Sequence, residues 1–471
     1  MADEPDTRDG SAEKVVVLGG GLSGLSTALR LIDLGFDVTL VEKRPFLGGR
    51  VFSFVDPREQ VEVDNGQHVF LGCFIYYLDY LDTIGSSDKA YLQEKLRVEV
   101  VLDGKSGVLT SAPWLRRLHL LPSFATYPHL GVKDKLLVAY GLLRVLLTDR
   151  AGRSAELDGE SAYDWLRRHH QTERAIKNLW NVIILPTLND DVRDVSAGMA
   201  IMVFQESLLK GPSDAAIGLS RVGLTSLNGD PARRVLEQRG AHMILGKTVR
   251  SLRVEGGQVR GVELSDGHVL ESDWYVSALP FAALLQTLPG EVGDDDFFSR
   301  VAALRSSPIV GIHLWYDRAI MDQDFVAFLD SPVQFVFNKS LIQGMRGPGQ
   351  YVCISLSGAW KFADRPKDEL AEQFIAEMAR LFPRARQARV ERALIVKEPH
   401  ATFSSAPGAA GNRLPQVTPV QNLFLAGEWT DTGWPSTMES AVRSGDLAAD
   451  EVAAASKARP RPSMTSARER V

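Results

Sequence analysis

Three glycines, Gly19, Gly21 and Gly24, form a G-x-G-x-x-G pattern wedged between an apolar run and a helical repeat. Residues 15–18 are continuously apolar, as expected for a strand buried on both faces. Leu22, Leu25, Leu29 and Ile32 recur at helical spacing, and Gly35 is placed to end that helix. Residues 36–42, FDVTLVE, read as a second strand. In such a unit the first glycine permits the tight turn and the second lets backbone approach a pyrophosphate. The third allows close helix–strand packing, and the N-terminal turn around Leu22 and Ser23 offers N–H groups and a positive dipole end. Glu42 closes the second strand beside Lys43, where a carboxylate accepts hydrogen bonds from ribose hydroxyls. A dinucleotide-binding βαβ unit is therefore expected, and NAD and FAD satisfy it equally.

Other residues separate the two. LGGR at 47–50 supplies Gly49 and Arg50, a guanidinium suited to phosphate oxygens. VDNGQHVF at 63–70 brings Gly66, Gln67 and His68 in a turn of small and polar residues that suits the flank of a flat ring. Near the other end, LFLAGEWTDTGWPSTMESAVRSG sets Gly427 and Glu428 at a strand end. Trp434 and the N–H groups of Thr437, Met438 and Glu439 follow at a helix start. A ligand held by both chain ends must be long. Extended FAD meets that requirement.

The remaining sequence frames this site. Residues ~100–220 look mainly helical, and α/β character returns from Asp230. The expected class is α/β. A Rossmann-like FAD-binding domain is assembled from 14–100, 221–292 and 412–456, with a mixed α+β substrate domain inserted from 101–220 and 293–411. The polar ends, 1–13 and 457–471, are expected to be disordered. A formal charge of −6 gives no general attraction to nucleic acid. Cys73 and Cys353 lack metal-ligand spacing, so no metal site is expected and a reducing cytoplasmic setting fits. The acidic first dozen residues do not read as a signal peptide. LLVAYGLLRVLL at 136–147 is too short to span a bilayer. It reads either as a buried core helix or as a peripheral membrane contact at a lipid-substrate entrance.

The GGGLSGL turn, the GGR after the acidic strand end and the C-terminal glycine segment together resemble the flavin amine oxidase and phytoene desaturase superfamily. Within it, DNGQHVFLGCF, LHLLPSF, ILPTLND, GLSRVGLTSL, LDSPVQFVFNK, IVKEPHATF and GEWTDTGWPSTMESAVRSG are similar to the squalene-associated FAD-dependent desaturases, or hydroxysqualene dehydroxylases. The likeness runs from residue ~14 to ~455, and Glu428 stands where relatives often carry aspartate. The resemblance implies flavin contacts at Gly19, Gly21, Ser23, Gly24, Glu42, Arg50, Gly66, Gln67, Gly427, Glu428 and Met438, and a backbone contact to adenine at Val249. It also implies a reaction. Hydroxysqualene, a C30 isoprenoid, loses its allylic hydroxyl and gains a hydride from reduced flavin, giving squalene for hopanoid synthesis.

That reaction needs a proton donor, because hydroxide leaves poorly, and a dry cavity, because water would recapture the allylic cation. The candidate acids are His68, Asp190, Glu206 and Asp431, each with a plain structural alternative. His68 can buttress the flavin turn, Asp190 can cap a helix, Glu206 can pair with an arginine and Asp431 can organise a loop. Trp180, Phe204, Trp315, Phe335 and Phe337 are candidate cavity aromatics or simple core. With one dinucleotide fingerprint in the sequence, the electron donor is expected to be NADPH binding transiently or a separate reductase. Two other readings remain: a carotenoid desaturase or isomerase, and a flavin-free escort of prenylated proteins. The complete glycine set with Glu42 stands against the second.

Overall fold

The computed structural model describes residues 12–58 and 60–458. Strands His242–Leu245, Asp37–Glu42, Lys14–Leu18, Trp274–Ser277 and Leu423–Leu425 lie side by side in that order, every pair parallel. Alternate residues of these strands enter two different cores. Val15, Val17, Leu40, Val276 and Phe424 pack under the helices, whereas Val16, Leu18, Val41, Tyr275 and Leu425 pack on the opposite side. Burial on both faces is why these strands read as unbroken apolar runs.

On the first face the helix Leu22–Asp33 lies against the helix Met438–Ala458. A Cβ on Gly445 would stand 2.3 Å from the Ser23 carbonyl oxygen, so glycine sets that close approach. Ser26 Oγ donates to the Val442 carbonyl at 3.2 Å across the same seam. On the second face sits an antiparallel sheet of Val249–Glu255, Gln258–Leu264 and Val269–Leu270.

A seven-stranded sheet forms the second layer, in the order Val390–Phe403, Ser306–Tyr316, Gln350–Leu356, Phe335–Asn338, Phe325–Phe328, Arg97–Leu102 and Lys105–Thr110. One face carries Val310, Ile312, Leu314, Val336, Val352 and Ile354 against Leu370, Phe374 and Met378 of the helix Lys367–Leu381. The other face looks toward the parallel sheet. Helices between Pro113 and Leu208 close the space above it.

The structure differs from the sequence expectation in two places. The hairpin Arg97–Leu102/Lys105–Thr110 belongs to the seven-stranded sheet, so the layer changes before residue 97, and residues just beyond 100 are not helical. Asp103 and Gly104 both take positive φ (51° and 73°) at its turn, the geometry an Asp-Gly hairpin favours. Order also extends slightly past the expected tails: the Glu13 carbonyl accepts from Asp37 N–H, and the last helix runs to Ala458. The rest of those tails lies outside the described residues.

Candidate active site

The glycine turn is built as its spacing demands. Gly19 has φ 108°, and a Cβ there would lie 2.9 Å from the Ala278 carbonyl oxygen. Gly24 does not reach the cavity wall. Its missing Cβ would fall 1.9 Å from the Gly19 carbonyl oxygen, so it serves helix–turn packing. Gly21 is the N-cap of the helix Leu22–Asp33 and supplies no side-chain hydrogen bond to the helix end. The first helical N–H groups are thus left for a ligand. Glu42 accepts from Gly20 N–H at 2.7 Å and from Arg44 N–H at 2.9 Å, which fixes its carboxylate beside the turn.

The second glycine pair packs directly on the first. Gly48 N–H donates to the Gly20 carbonyl at 2.8 Å, and a Cβ on Gly49 would come within 2.7 Å of Gly21 Cα. Arg50 then reaches the far end of the chain, ion-paired with Glu428 and donating to the Ala401 carbonyl at 3.1 Å. Burial opposes the Arg50 charge, but the Glu428 carboxylate outweighs it and holds the guanidinium pKa above its ordinary value. Gly427 lies behind the wall, where a Cβ would strike the Trp429 ring at 2.5 Å. Its φ of 141° turns the chain so that Glu428 faces the cavity. Trp434 is also set back, edge-on to Phe74 with ring centroids 5.8 Å apart.

One cavity of about 820 Å³ joins these parts. Its polar half is lined by Gly19, Gly21, Leu22, Ser23, Glu42, Lys43, Gly49, Arg50, Gly66, Gln67, His68, Val249, Glu428, Thr437 and Met438. Its other half is apolar and rises from one face of the seven-stranded sheet. Paired positions Val98–Leu109, Phe325–Phe337 and Phe335–Ser355 all face it. Leu120, Phe124, Ile183 and Leu208 complete that half from the helical layer. Of the two readings open for Phe335 and Phe337, lining or simple core, the structure places both on the cavity wall. Phe325 was not anticipated, although it pairs with Phe337 on the same face.

Of the four candidate acids, only His68 lines the cavity. Its Nδ1 lies 3.1 Å from the Gly66 carbonyl, and burial pulls its pKa below the usual imidazole value. Asp190 is buried and fully engaged elsewhere, accepting from Ser307 Oγ (2.8 Å), Trp360 Nε1 (2.8 Å) and Ser404 Oγ (2.6 Å). Glu206 pairs with Arg150 at 2.7 Å on a half-exposed helix face. Asp431 is exposed on its loop. All three are thus corrected to structural or surface roles. Three of the aromatics are likewise core. Trp180 packs on Phe204 with centroids 4.8 Å apart, and Trp315 stacks on Tyr351 at 4.5 Å.

Sequence reasoning missed Glu398. It lines the cavity beside the 65–68 turn, with Asn65 Nδ2 donating to its Oε1 at 3.2 Å. Its place in the IVKEPHATF segment was the available signal. Among the described residues, Glu42, Glu398 and Glu428 are the carboxylates on the wall, and all three sit in or beside the polar half.

The model of the family "Flavin containing amine oxidoreductase" matches residues 22–453. The chain belongs to this family. Among curated relatives, the zeta-carotene desaturase of Zea mays is 28% identical, over 94% of this chain and 84% of its own length. The zeta-carotene desaturase of Synechocystis is 26% identical over 94% and 97%, and the 15-cis-phytoene desaturase of Capsicum annuum 25% over 93% and 77%. Solved structures share the fold. Putrescine oxidase bound to putrescine superposes with a TM-score of 0.71 at 15% identity, covering 94% of this chain and 99% of that one. Cyclohexylamine oxidase from Brevibacterium oxydans gives 0.67 at 19%, covering 95% and 100%. This flavin-containing amine oxidoreductase is an FAD-dependent oxidoreductase, similar over most of its length to carotene desaturases. Its glycine cradle, uncapped helix start and fixed Glu42 fit the nucleotide end of that cofactor.

Proposed function

We propose that the enzyme reductively removes the allylic hydroxyl of a C30 isoprenoid alcohol, hydroxysqualene, yielding squalene. The observation that carries this reading is the division of one cavity into a polar nucleotide half and an aromatic hydrocarbon half that holds no acid among the described residues. The squalene-associated motif segments support the substrate choice. Bound in the polar half, FAD in its reduced form would supply the hydride in this direction, and in its oxidised form would accept one in the reverse.

The chain's own residues handle water, position and the proton. Val98 and Leu109 help exclude water, and Phe325, Phe335 and Phe337 present ring faces to a delocalised allylic cation. A carbonyl oxygen only accepts, so His68 Nδ1–H donates to Gly66 and, in the neutral ring, Nε2 is left an acceptor that orients the substrate hydroxyl. Glu398 is the carboxyl that delivers the proton to the departing hydroxyl. Reducing equivalents come from NADPH or a separate reductase, which stopped-flow reduction with NADPH alone distinguishes.

A second reading, carotenoid desaturation, is supported by the names of the relatives. An apolar cavity suits both hydrocarbons and disfavours a polar amine, whose charge would lose its hydration there. Product analysis with hydroxysqualene under reducing conditions and with phytoene under oxidising conditions separates the two.

A further inference from the structure

The helix Val132–Leu147 carries two apolar stripes on opposite sides. Val138, Gly141 and Val145 are buried, and Gly141 brings the helix so close to Trp180 that a Cβ would lie 2.9 Å from its ring. The stripe turned away from this core is also apolar: Val132 is 78% exposed, Leu136 69% and Leu147 67%, with Tyr140 and Leu143 between them. A soluble surface helix needs one apolar stripe, and the second is unaccounted for. The patch continues on the preceding segment, where Trp114 (77% exposed), Leu118 and Leu121 point outward. Lys135 Nζ donates to the Ala125 carbonyl at 2.7 Å, which joins the two segments into one surface.

Two further observations identify what covers it. Between Gly104 and Thr148 the chain holds Lys105, Arg116, Arg117, Lys133, Lys135 and Arg144, whereas its single acid, Asp134, is buried and paired with Arg174. This concentration of positive charge stands out in a chain of net charge −6. Leu120 and Phe124, interleaved with the outward Leu118 and Leu121, line the apolar half of the cavity. Among the described residues no helix is long and apolar enough to cross a membrane.

We infer that this surface, from Trp114 to Leu147, docks in the interface of an anionic lipid bilayer and opens the apolar half of the cavity to it. The exposed leucines and Val132 enter the acyl boundary, Trp114 and Tyr140 lie at headgroup depth, and the basic residues meet anionic headgroups. The purpose of the docking, delivery of a hydrocarbon substrate, rests on the isoprenoid reading of the cavity, whereas the docking itself does not.

The test is flotation of the full-length flavoprotein, without substrate, on vesicles of phosphatidylcholine with phosphatidylglycerol and on phosphatidylcholine alone. Binding is expected to the anionic vesicles, weakened by salt. It should fall by roughly ten-fold or more in Leu136→Glu/Leu143→Glu and in Arg116→Glu/Arg117→Glu, and stay unchanged in the surface control Val55→Glu. Unaltered melting and flavin absorbance show that a variant is folded, and the arginine pair carries the test if the leucine pair misfolds. Wild-type protein that does not float, or variants that float like wild type, overturn the inference. So does a dimer by light scattering that Leu136→Glu/Leu143→Glu dissociates, since a second copy would then cover the face. Turnover in detergent micelles tests the substrate reading separately.

Discussion

The Lys339 ammonium lies 2.8 Å from the Asp64 carboxylate, with side-chain exposures of 1% and 2%. Asp64 also accepts from Leu224 N–H at 2.9 Å, and Lys339 donates to Gln67 Oε1 at 3.3 Å. The pair therefore fastens the 65–68 turn of the cavity wall to the seven-stranded sheet. Removing one partner strands a buried charge, so Lys339→Met should lower stability by about 3–5 kcal/mol. Asp64→Asn/Lys339→Met should recover part of that loss. Urea unfolding of the three proteins checks both.

Gly24→Ala places a Cβ where the Gly19 carbonyl oxygen already sits. Overpacking of this kind costs about 1–3 kcal/mol. Because the clash falls on the phosphate turn, flavin affinity should drop at least about ten-fold. The ratio of flavin to protein absorbance after gel filtration reports it.

Glu398→Gln keeps an acceptor for Asn65 but removes the ionisable proton. Hydroxysqualene turnover should fall about a hundred-fold or more with the flavin spectrum unchanged. Unaltered turnover would remove Glu398 from the reaction.

Burial brings the His313 pKa down from 6.5 to about 4, and the same cause lowers those of His68 and His119. Each imidazole is held neutral in the folded chain and protonates more readily once unfolded. Stability is thus complete above about pH 6.5 and is lost as pH falls toward 4, by about 3 kcal/mol for His313 alone. Urea midpoints should fall between pH 7 and pH 5, and less steeply in His313→Gln.

The parts legible in the sequence were those fixed by local backbone geometry. Gly19, Gly21, Gly24 and Glu42 are tied to one turn by spacing, so the strand–turn–helix unit could be read directly and appears as expected. Long-range partner choice was not legible. Asp190 and Glu206 carry the same chemistry in sequence as a catalytic acid, and only folding shows Asp190 held by Ser307, Trp360 and Ser404 and Glu206 held by Arg150. The same applies to Trp315, whose burial against Tyr351 follows from strand register. The hairpin after Arg97 had a local signal, the Asp103-Gly104 turn, masked by the helical text that follows. For the 136–147 helix the core expectation applies to one stripe only, since the other is exposed.

The most direct measurement is anaerobic incubation of the chemically reduced, FAD-loaded enzyme with hydroxysqualene, followed by mass-spectrometric product analysis. Formation of squalene with matching reoxidation of the flavin is the predicted result. Unchanged hydroxysqualene, from a preparation that oxidises phytoene when its flavin is left oxidised, would contradict it.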